Sequence, residues 1–153
     1  YGMHVSNGIL YNHESPRRGE NFVTQKIVRG AASIAQGKAE FLELGNLEIE
    51  RDWGYAPDFV RGMWKMLQQE QAGDYILATG KTHKLSDLLQ LSFEYFGLNH
   101  RKHVRVNPKF VRPNEPAYLC GDSSKAQKIL GWKPSVTFEQ IIKSMCEAAE
   151  KSN

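Results

Sequence analysis

The sequence predicts an α/β or mixed α+β fold, and three observations carry that expectation. Short apolar runs of strand character alternate with longer segments of helical periodicity. Glycine, proline or a capping residue stands at most junctions between them. The composition is that of a globular chain: 153 residues, 41% hydrophobic and 24% charged. That is one domain's length, with enough apolar material for a core.

Val5 to Tyr11 opens the series. Val5, Ile9 and Leu10 put apolar side chains on both faces, as in a buried parallel strand. Such a strand needs neighbours and few residues precede it, so the chain is expected to be part of something larger. Asn12 to Lys26, reading NHESPRRGENFVTQK, is then a strand-to-helix crossover, the kind of loop that carries ligand contacts in α/β proteins. A helix follows from about Phe22 to Gln36, with Val23, Ile27, Gly30, Ala31 and Ile34 on one face, Asn21 as N-cap and Gly37 as its stop. Glu40 to Leu44 reads as a short strand ending at the Gly45-Asn46 turn, and Arg51 to Tyr55 as an irregular link. Pro57 suits the first turn of a helix reaching about Gln69, whose apolar stripe is Val60, Met63, Trp64 and Leu67. Asp74 to Thr79 is a second buried strand, stopped by Gly80. Ser86 caps a helix through Phe96 that Gly97 closes. Val104 to Val106 is a short strand, and Asp122 or Ser123 caps a small helix ending at Leu130-Gly131. Thr137 and Gln140 form a T-x-x-Q capping box, flanked by Val136 and Ile141, for a last helix through Met145 towards Glu150.

Charge and cysteine content exclude more than they select. The net charge of +3, from 20 Lys+Arg against 17 Asp+Glu, is too small to imply nucleic acid. No apolar run approaches the ~20 residues that span a bilayer, and the opening YGMHVSNGIL lacks a signal peptide's basic start and apolar centre. Cys120 and Cys146 are too few and too far apart for a disulfide framework or a zinc knuckle. A reducing cytoplasm is the expected compartment.

Several stretches have the residue types of a site. Arg17-Arg18, between Pro16 and Gly19, offers guanidinium forks that match phosphate oxygens; a pair of solvated loop arginines fits the same pattern. Lys26 falls on the first turns of its helix, where anions are favoured, and is equally readable as a surface lysine. Arg51-Asp52-Trp53 and Arg112-Pro113-Asn114-Glu115 mix charge with rigid or aromatic neighbours, as a nucleotide-sugar site needs; internal ion pairs would explain each as well. His100 and His103 have loose metal spacing without a third ligand, so no metal site is assigned. No G-x-G-x-x-G follows a strand, so the dinucleotide fingerprint is missing. No tyrosine is followed four residues later by lysine. No catalytic residue is assigned.

Val5 to Gly19 (VSNGILYNHESPRRG) closely resembles a signature of the GDP-mannose 4,6-dehydratases, which are extended short-chain dehydrogenase/reductases. Leu44-Gly45-Asn46-Leu47 followed by Arg51-Asp52-Trp53-Gly54 continues the resemblance. So do Arg112-Pro113 with Glu115, Gly121-Asp122, Lys125-Ala126 and Leu130-Gly131-Trp132-Lys133-Pro134, in order and over nearly the whole chain. The resemblance implies an α/β fold that is the C-terminal part of an extended short-chain dehydrogenase/reductase. Residues 5–11 and 74–79 would be the last strands of a Rossmann-type sheet. The rest of 1–153 would be mostly a mixed α/β substrate-binding domain, with the N-terminal NADP-binding half absent.

The family's reaction oxidises the mannose C4 hydroxyl of GDP-mannose, eliminates water across C5 and C6, and returns hydride to C6. NADP stores the hydride between steps. The glycine-rich fingerprint, the acid–base pair and the Tyr-x-x-x-Lys are then expected outside this sequence, and the chain alone is expected to be inactive. What the resemblance carries over is binding. His13 and Arg18 match positions that contact NADP, and the arginine loop matches the family's tetramer interface. Asn12 matches a sugar-diphosphate contact, and Phe22, Val23 and Lys26 the guanine-nucleotide wall. Leu44, Gly45 and Arg51 match further nucleotide contacts, and Arg112 with Glu115 a clamp on diphosphate and hydroxyls. Tight NADP binding by this chain alone is not expected. The expected partners are GDP-mannose and either further copies of the chain or a separate Rossmann half, with no nucleic acid and no membrane. Val111, Pro116-Ala117 and Gln25 depart from the family's common residues beside these positions. Two other readings stay open: a non-catalytic, self-assembling nucleotide-sugar module, and a piece of another extended-family epimerase or reductase.

Overall fold

Short strands, most of them paired in parallel, are covered by helices, and the longer helices follow the order the alternating pattern predicts. The computed structural model describes residues 1–151. Along the chain lie β1 (Gly8–Leu10), β2 (Asn12–Glu14), α1 (Val23–Ala35), β3 (Leu42–Leu44), β4 (Glu50–Arg51), β5 (Trp53–Tyr55) and α2 (Ala56–Leu67). They are followed by β6 (Tyr75–Leu77), β7 (His83–Lys84), α3 (Leu85–Tyr95), α4 (His100–His103), β8 (Val104–Val106), a 3-10 turn at Pro108–Phe110, β9 (Tyr118–Leu119), α5 (Ser124–Leu130) and α6 (Phe138–Lys151). β1 pairs with β6, β2 with β5 and β3 with β8, all parallel, in registers Leu10↔Leu77, Asn12↔Trp53 and Leu44↔Val106. A further small sheet has the order β7-β4-β9, antiparallel to β7 and parallel to β9.

Two apolar clusters hold these pieces. The larger gathers α1, α3 and α6 around Leu42, Leu44, Ile49 and Trp53, with the Trp53 and Phe138 rings stacked at 5.7 Å. The smaller joins Phe59 and Met66 of α2 to Tyr75, Leu77, Ala126, Leu130 and Trp132. Trp132 meets the Phe59 ring edge-on, and its Nε1 donates to the Asp58 carbonyl at 2.6 Å. Burial of this kind stabilises by roughly 25 cal/mol per Å² of apolar surface.

Asp52 ties the two regions together. Its carboxylate is buried, yet Oδ1 accepts from Thr79 N at 2.8 Å and Thr79 Oγ1 at 2.6 Å, while Oδ2 accepts from Gly80 N at 2.9 Å and Gly121 N at 3.3 Å. A buried carboxylate persists only with such donors.

Several expectations need correction. The strand expected over Val5 to Tyr11 shortens to Gly8–Leu10, and Val5 and Ile9 are exposed. β1 is paired only with β6 among the described residues, so one edge and much of its surface lack cover. Asn21 does not cap α1; Phe22 occupies the N-cap without a side-chain hydrogen bond. Ser86 is likewise inside α3, whose N-cap is Lys84, its amide held by Asp87 Oδ2 at 3.0 Å. The expected irregular link is two strands, β4 and β5, flanking Asp52. The largest error is the face of α2. Val60, Trp64 and Leu67 are exposed at 59%, 62% and 58%, and the buried side is Asp58, Phe59, Gly62 and Met66. Two contacts turn the helix that way. The Asp58 carboxylate accepts from Ser135 N, Ser135 Oγ and Arg61, and Gly62 lies so close to Leu77 that a Cβ would strike it. The T-x-x-Q box is present as expected: Thr137 N donates to Gln140 Oε1 at 2.9 Å and Gln140 N to Thr137 Oγ1 at 3.3 Å. Left-handed Gly37, Gly80, Gly97 and Gly131 end their elements where glycine was expected to.

Candidate functional site

The crossover loop places its groups by internal pairing. In β2, Asn12 stands opposite Trp53 of β5. His13 donates Nδ1–H to the Tyr11 carbonyl at 2.8 Å and stacks on Phe59 at 5.0 Å. Glu14 is buried, accepts from Thr24 Oγ1 at 2.6 Å and lies 3.2 Å from Arg18 Nε. Burial pushes the Glu14 carboxyl up, against the lowering pull of Thr24, Arg18 and His13. The Arg18 guanidinium also covers the exposed Phe22 ring at 3.5 Å. Arg17 is exposed.

From Phe22 the chain turns into α1, and Lys26 N donates to Phe22 O at 2.9 Å. Val23 packs partly against the larger core, and Gln25 is buried. Lys26 reaches across to the loop after β8, where its Nζ sits 4.1 Å from the centre of the Phe110 ring. Gly45 touches the same loop from below: a Cβ there would run into the Phe110 carbonyl. Leu44, in contrast, is buried in the core at 2% exposure, so its contribution is to hold Gly45 in place.

The loop then runs past exposed Arg112 to Glu115. Glu115 Oε1 accepts from Arg51 Nη2 at 3.1 Å. Arg51, 8% exposed on β4, also donates Nη1–H to the Glu50 carbonyl at 2.8 Å. The loop's end is fixed by Glu50 N donating to Ala117 O at 2.7 Å.

The expected residues are therefore connected rather than scattered. The arginine loop leads to the start of α1, Lys26 to Phe110, the 107–117 loop to Glu115, Glu115 to Arg51, and β5 beside Arg51 back to β2. Arg51 and Glu115 are each other's partner, a pairing that sequence alone could not make. Phe110 escaped the sequence reading, and Asp52, singled out there only within the Arg51-Asp52-Trp53 stretch, serves to tie the chain together. The one local hint for Phe110 was an aromatic two residues after the Asn107-Pro108 turn signal. Two shallow clefts, about 330 Å³ beside Ala32, Tyr95 and Glu150 and about 360 Å³ beside Gln90, Leu98 and Arg101, lie away from these groups. His100 and His103 pack against Phe93, with His103 Nδ1 donating to Glu40 O at 3.0 Å. No three His, Cys, Asp or Glu side chains converge as metal donors among the described residues. No helix among them is long and apolar enough to cross a membrane.

A family profile described as GDP-mannose 4,6 dehydratase matches residues 1–145. GDP-mannose 4,6 dehydratase 1 of Arabidopsis thaliana is 51% identical over 147 residues, covering 96% of this chain and 41% of that protein. The Homo sapiens GDP-mannose 4,6 dehydratase is 41% identical over 165 residues, covering 97% of this chain and 44% of that protein. The chain thus spans about two fifths of the length of these curated relatives. Among solved structures, RMD from Pseudomonas aeruginosa complexed with NADPH superposes with a TM-score of 0.90 at 23% identity, over 99% of this chain and 50% of that one. UDP-glucose 4-epimerase from Thermotoga maritima, solved with UDP-glucose, superposes at 0.82 and 23% identity, over 99% of this chain and 48% of that one. These superpositions establish the fold, a mixed α/β portion shared with about half the length of each of those enzymes.

Proposed function

This chain belongs to the GDP-mannose 4,6-dehydratase family, and on that premise we propose that it forms the substrate-binding portion of such an enzyme, carrying a GDP-mannose site but not the catalytic groups. The observation that supports this reading is the circuit of contacts linking Phe22, Lys26, Gly45, Glu115 and Arg51. Arg51 supplies a guanidinium whose position is set by Glu50 and Glu115, ready for a diphosphate without further ordering. Glu115 offers its remaining oxygen to ribose or sugar hydroxyls. We assign Asn12, on β2 opposite Trp53, and exposed Arg112 to the margins of this arc. Leu44 and Val23 keep its walls in place.

For NADP this chain offers a fringe contact. His13 has its Nδ1 committed to Tyr11, and Arg18 is held between Glu14 and Phe22. Exposed Arg17 and the terminal N–H groups of Arg18 are what remain for a phosphate. Those groups suit a phosphate, whereas nothing in them would grip a nicotinamide. When bound, NADP supplies the oxidation at C4 and the return of hydride to C6. The chain's own part is to anchor GDP so that the mannose projects towards that cofactor. Further copies of the chain, or a separate Rossmann half, would cover the open side of β1.

Calorimetric titration with GDP-mannose, with UDP-glucose as control, tests the reading. Selective binding of GDP-mannose without turnover is expected. Arg51→Ala should weaken it by about 1.5–3 kcal/mol, the value of a charged hydrogen bond. Turnover by the chain with NADP, or an unchanged affinity in Arg51→Ala, would overturn it.

A further inference from the structure

We propose that Asn114 is a positioning residue for the Arg51–Glu115 pair: its left-handed backbone turns the 107–117 loop so that the Glu115 carboxylate reaches Arg51. This rests on the nucleotide-sugar reading above. Asn114, at φ 61°, is the one non-glycine residue with positive φ among the described residues. Left-handed backbone strains a residue with a Cβ, asparagine less than most and β-branched residues severely. The residues around it leave the chain little choice. Arg112 precedes Pro113 and Glu115 precedes Pro116, and a residue before proline is pushed into extended backbone. The two prolines have φ fixed by their rings. Of the five residues from 112 to 116, Asn114 alone is free to reverse the chain. Proline second and a left-handed residue third is the pattern of a type II turn, which brings its first and fourth residues together. Here those are Arg112 and Glu115.

Both ends of the loop are held elsewhere. At one end Val111 N donates to Pro108 O at 3.1 Å, and the Phe110 carbonyl rests against Gly45. At the other, Glu50 N donates to Ala117 O at 2.7 Å. Between these anchors, the direction of the chain at 114 decides where the next side chain goes. It goes inward: Glu115 Oε1 accepts from Arg51 Nη2 at 3.1 Å, and the Arg51 side chain is only 9% exposed. A Glu115 turned outward would leave that nearly buried guanidinium without its carboxylate, and the guanidinium would re-aim. The Asn114 side chain itself is exposed. Its influence on a ligand therefore passes through Glu115 and Arg51, by way of the backbone. Glycine, which adopts positive φ without strain, can replace it in that role, and a β-branched residue cannot.

The test titrates GDP-mannose into the chain, Asn114→Gly, Asn114→Val, Glu115→Ala and the double variant Asn114→Val with Glu115→Ala, and records a thermal melt of each. Asn114→Gly should bind within about twofold of the parent, since the turn is kept. Asn114→Val should lose about tenfold or more in affinity, with a melting temperature close to the parent's. Added to Glu115→Ala, the same change should cost no more than about twofold further, because the carboxylate it misplaces is already gone. An Asn114→Val chain that binds as the parent does overturns the proposal and leaves the nucleotide-sugar reading standing. A loss that Asn114→Gly shares overturns it as well, because it would assign the effect to the amide side chain. So does a full further loss in the Glu115→Ala background, which would mean a route other than Glu115. A loss in Asn114→Val that comes with a collapse of the melting temperature overturns it too, since it would mark structural damage. A parent chain that binds no GDP-mannose overturns the nucleotide-sugar reading itself, and the positioning role with it.

Discussion

Two buried ionisable groups show what the fold does to single residues. Burial pushes the Cys146 thiol up to about 12, so it stays neutral and unreactive near neutral pH. Iodoacetamide should label the native chain once, at half-buried Cys120, and Cys146 only after denaturation; a doubly labelled native chain would contradict this. Glu14 carries the opposite kind of consequence. Its folded-state carboxyl binds its proton more tightly than the unfolded one, mainly through burial. Its contribution is therefore fully present below the ordinary carboxylate value of 4.5 and is lost as pH rises through the raised value. Asp122 and Glu139 are held low, each by a backbone amide first, and act in the other direction at lower pH. Melting temperatures of the chain and Glu14→Gln, compared across the mildly acidic range, should show a decline in the parent that the variant lacks. An identical decline in both would remove Glu14 as its source. At this scale the sequence disclosed residue types but not partners. Arg51 and Glu115 were each legible as charges near a site, yet nothing local says that they meet.

Helix α2 shows where element-level reading succeeds and fails. Its existence and its N-terminal proline were legible, because both are local signals. Its orientation was not, because Gly62 and Asp58 decide it through contacts with Leu77 and Ser135 far along the chain. Removing the buried Phe59 side chain (Phe59→Ala) should cost about 3–5 kcal/mol, whereas Trp64→Ala should stay within about 0.5 kcal/mol. Denaturant melts of the two variants measure the contrast. Equal losses would mean that the Val60–Trp64–Leu67 stripe is the packed side after all. The α6 capping box, by comparison, is a code closed within four residues, and it appears as written.

Across the whole molecule, the fold class and the order of the longer helices with β1, β3, β6 and β8 were readable from alternation, and the family from short motifs, while the two- and three-residue strands β2, β4, β5, β7 and β9 were not. What was not readable was how much apolar surface stays uncovered. Val60, Trp64 and Leu67 line one side of α2, and Val5 and Ile9 stand open around β1. Contiguous apolar surface and an open strand edge favour association. Sedimentation velocity at micromolar concentration should show dimers or larger species, shifted towards monomer in Trp64→Glu with Leu67→Glu. A stable, well-folded parental monomer would contradict the expectation. The point where Gly45 meets the Phe110 carbonyl carries a different kind of consequence. Any side chain at 45 would lift the 107–117 loop off β3, moving the aromatic ring and the carboxylate of Glu115 together and loosening the hold on Arg51. In a lineage under drift these positions cannot wander one at a time: a change at a residue with no side chain of its own to offer a ligand would retune affinity and selectivity in a single step.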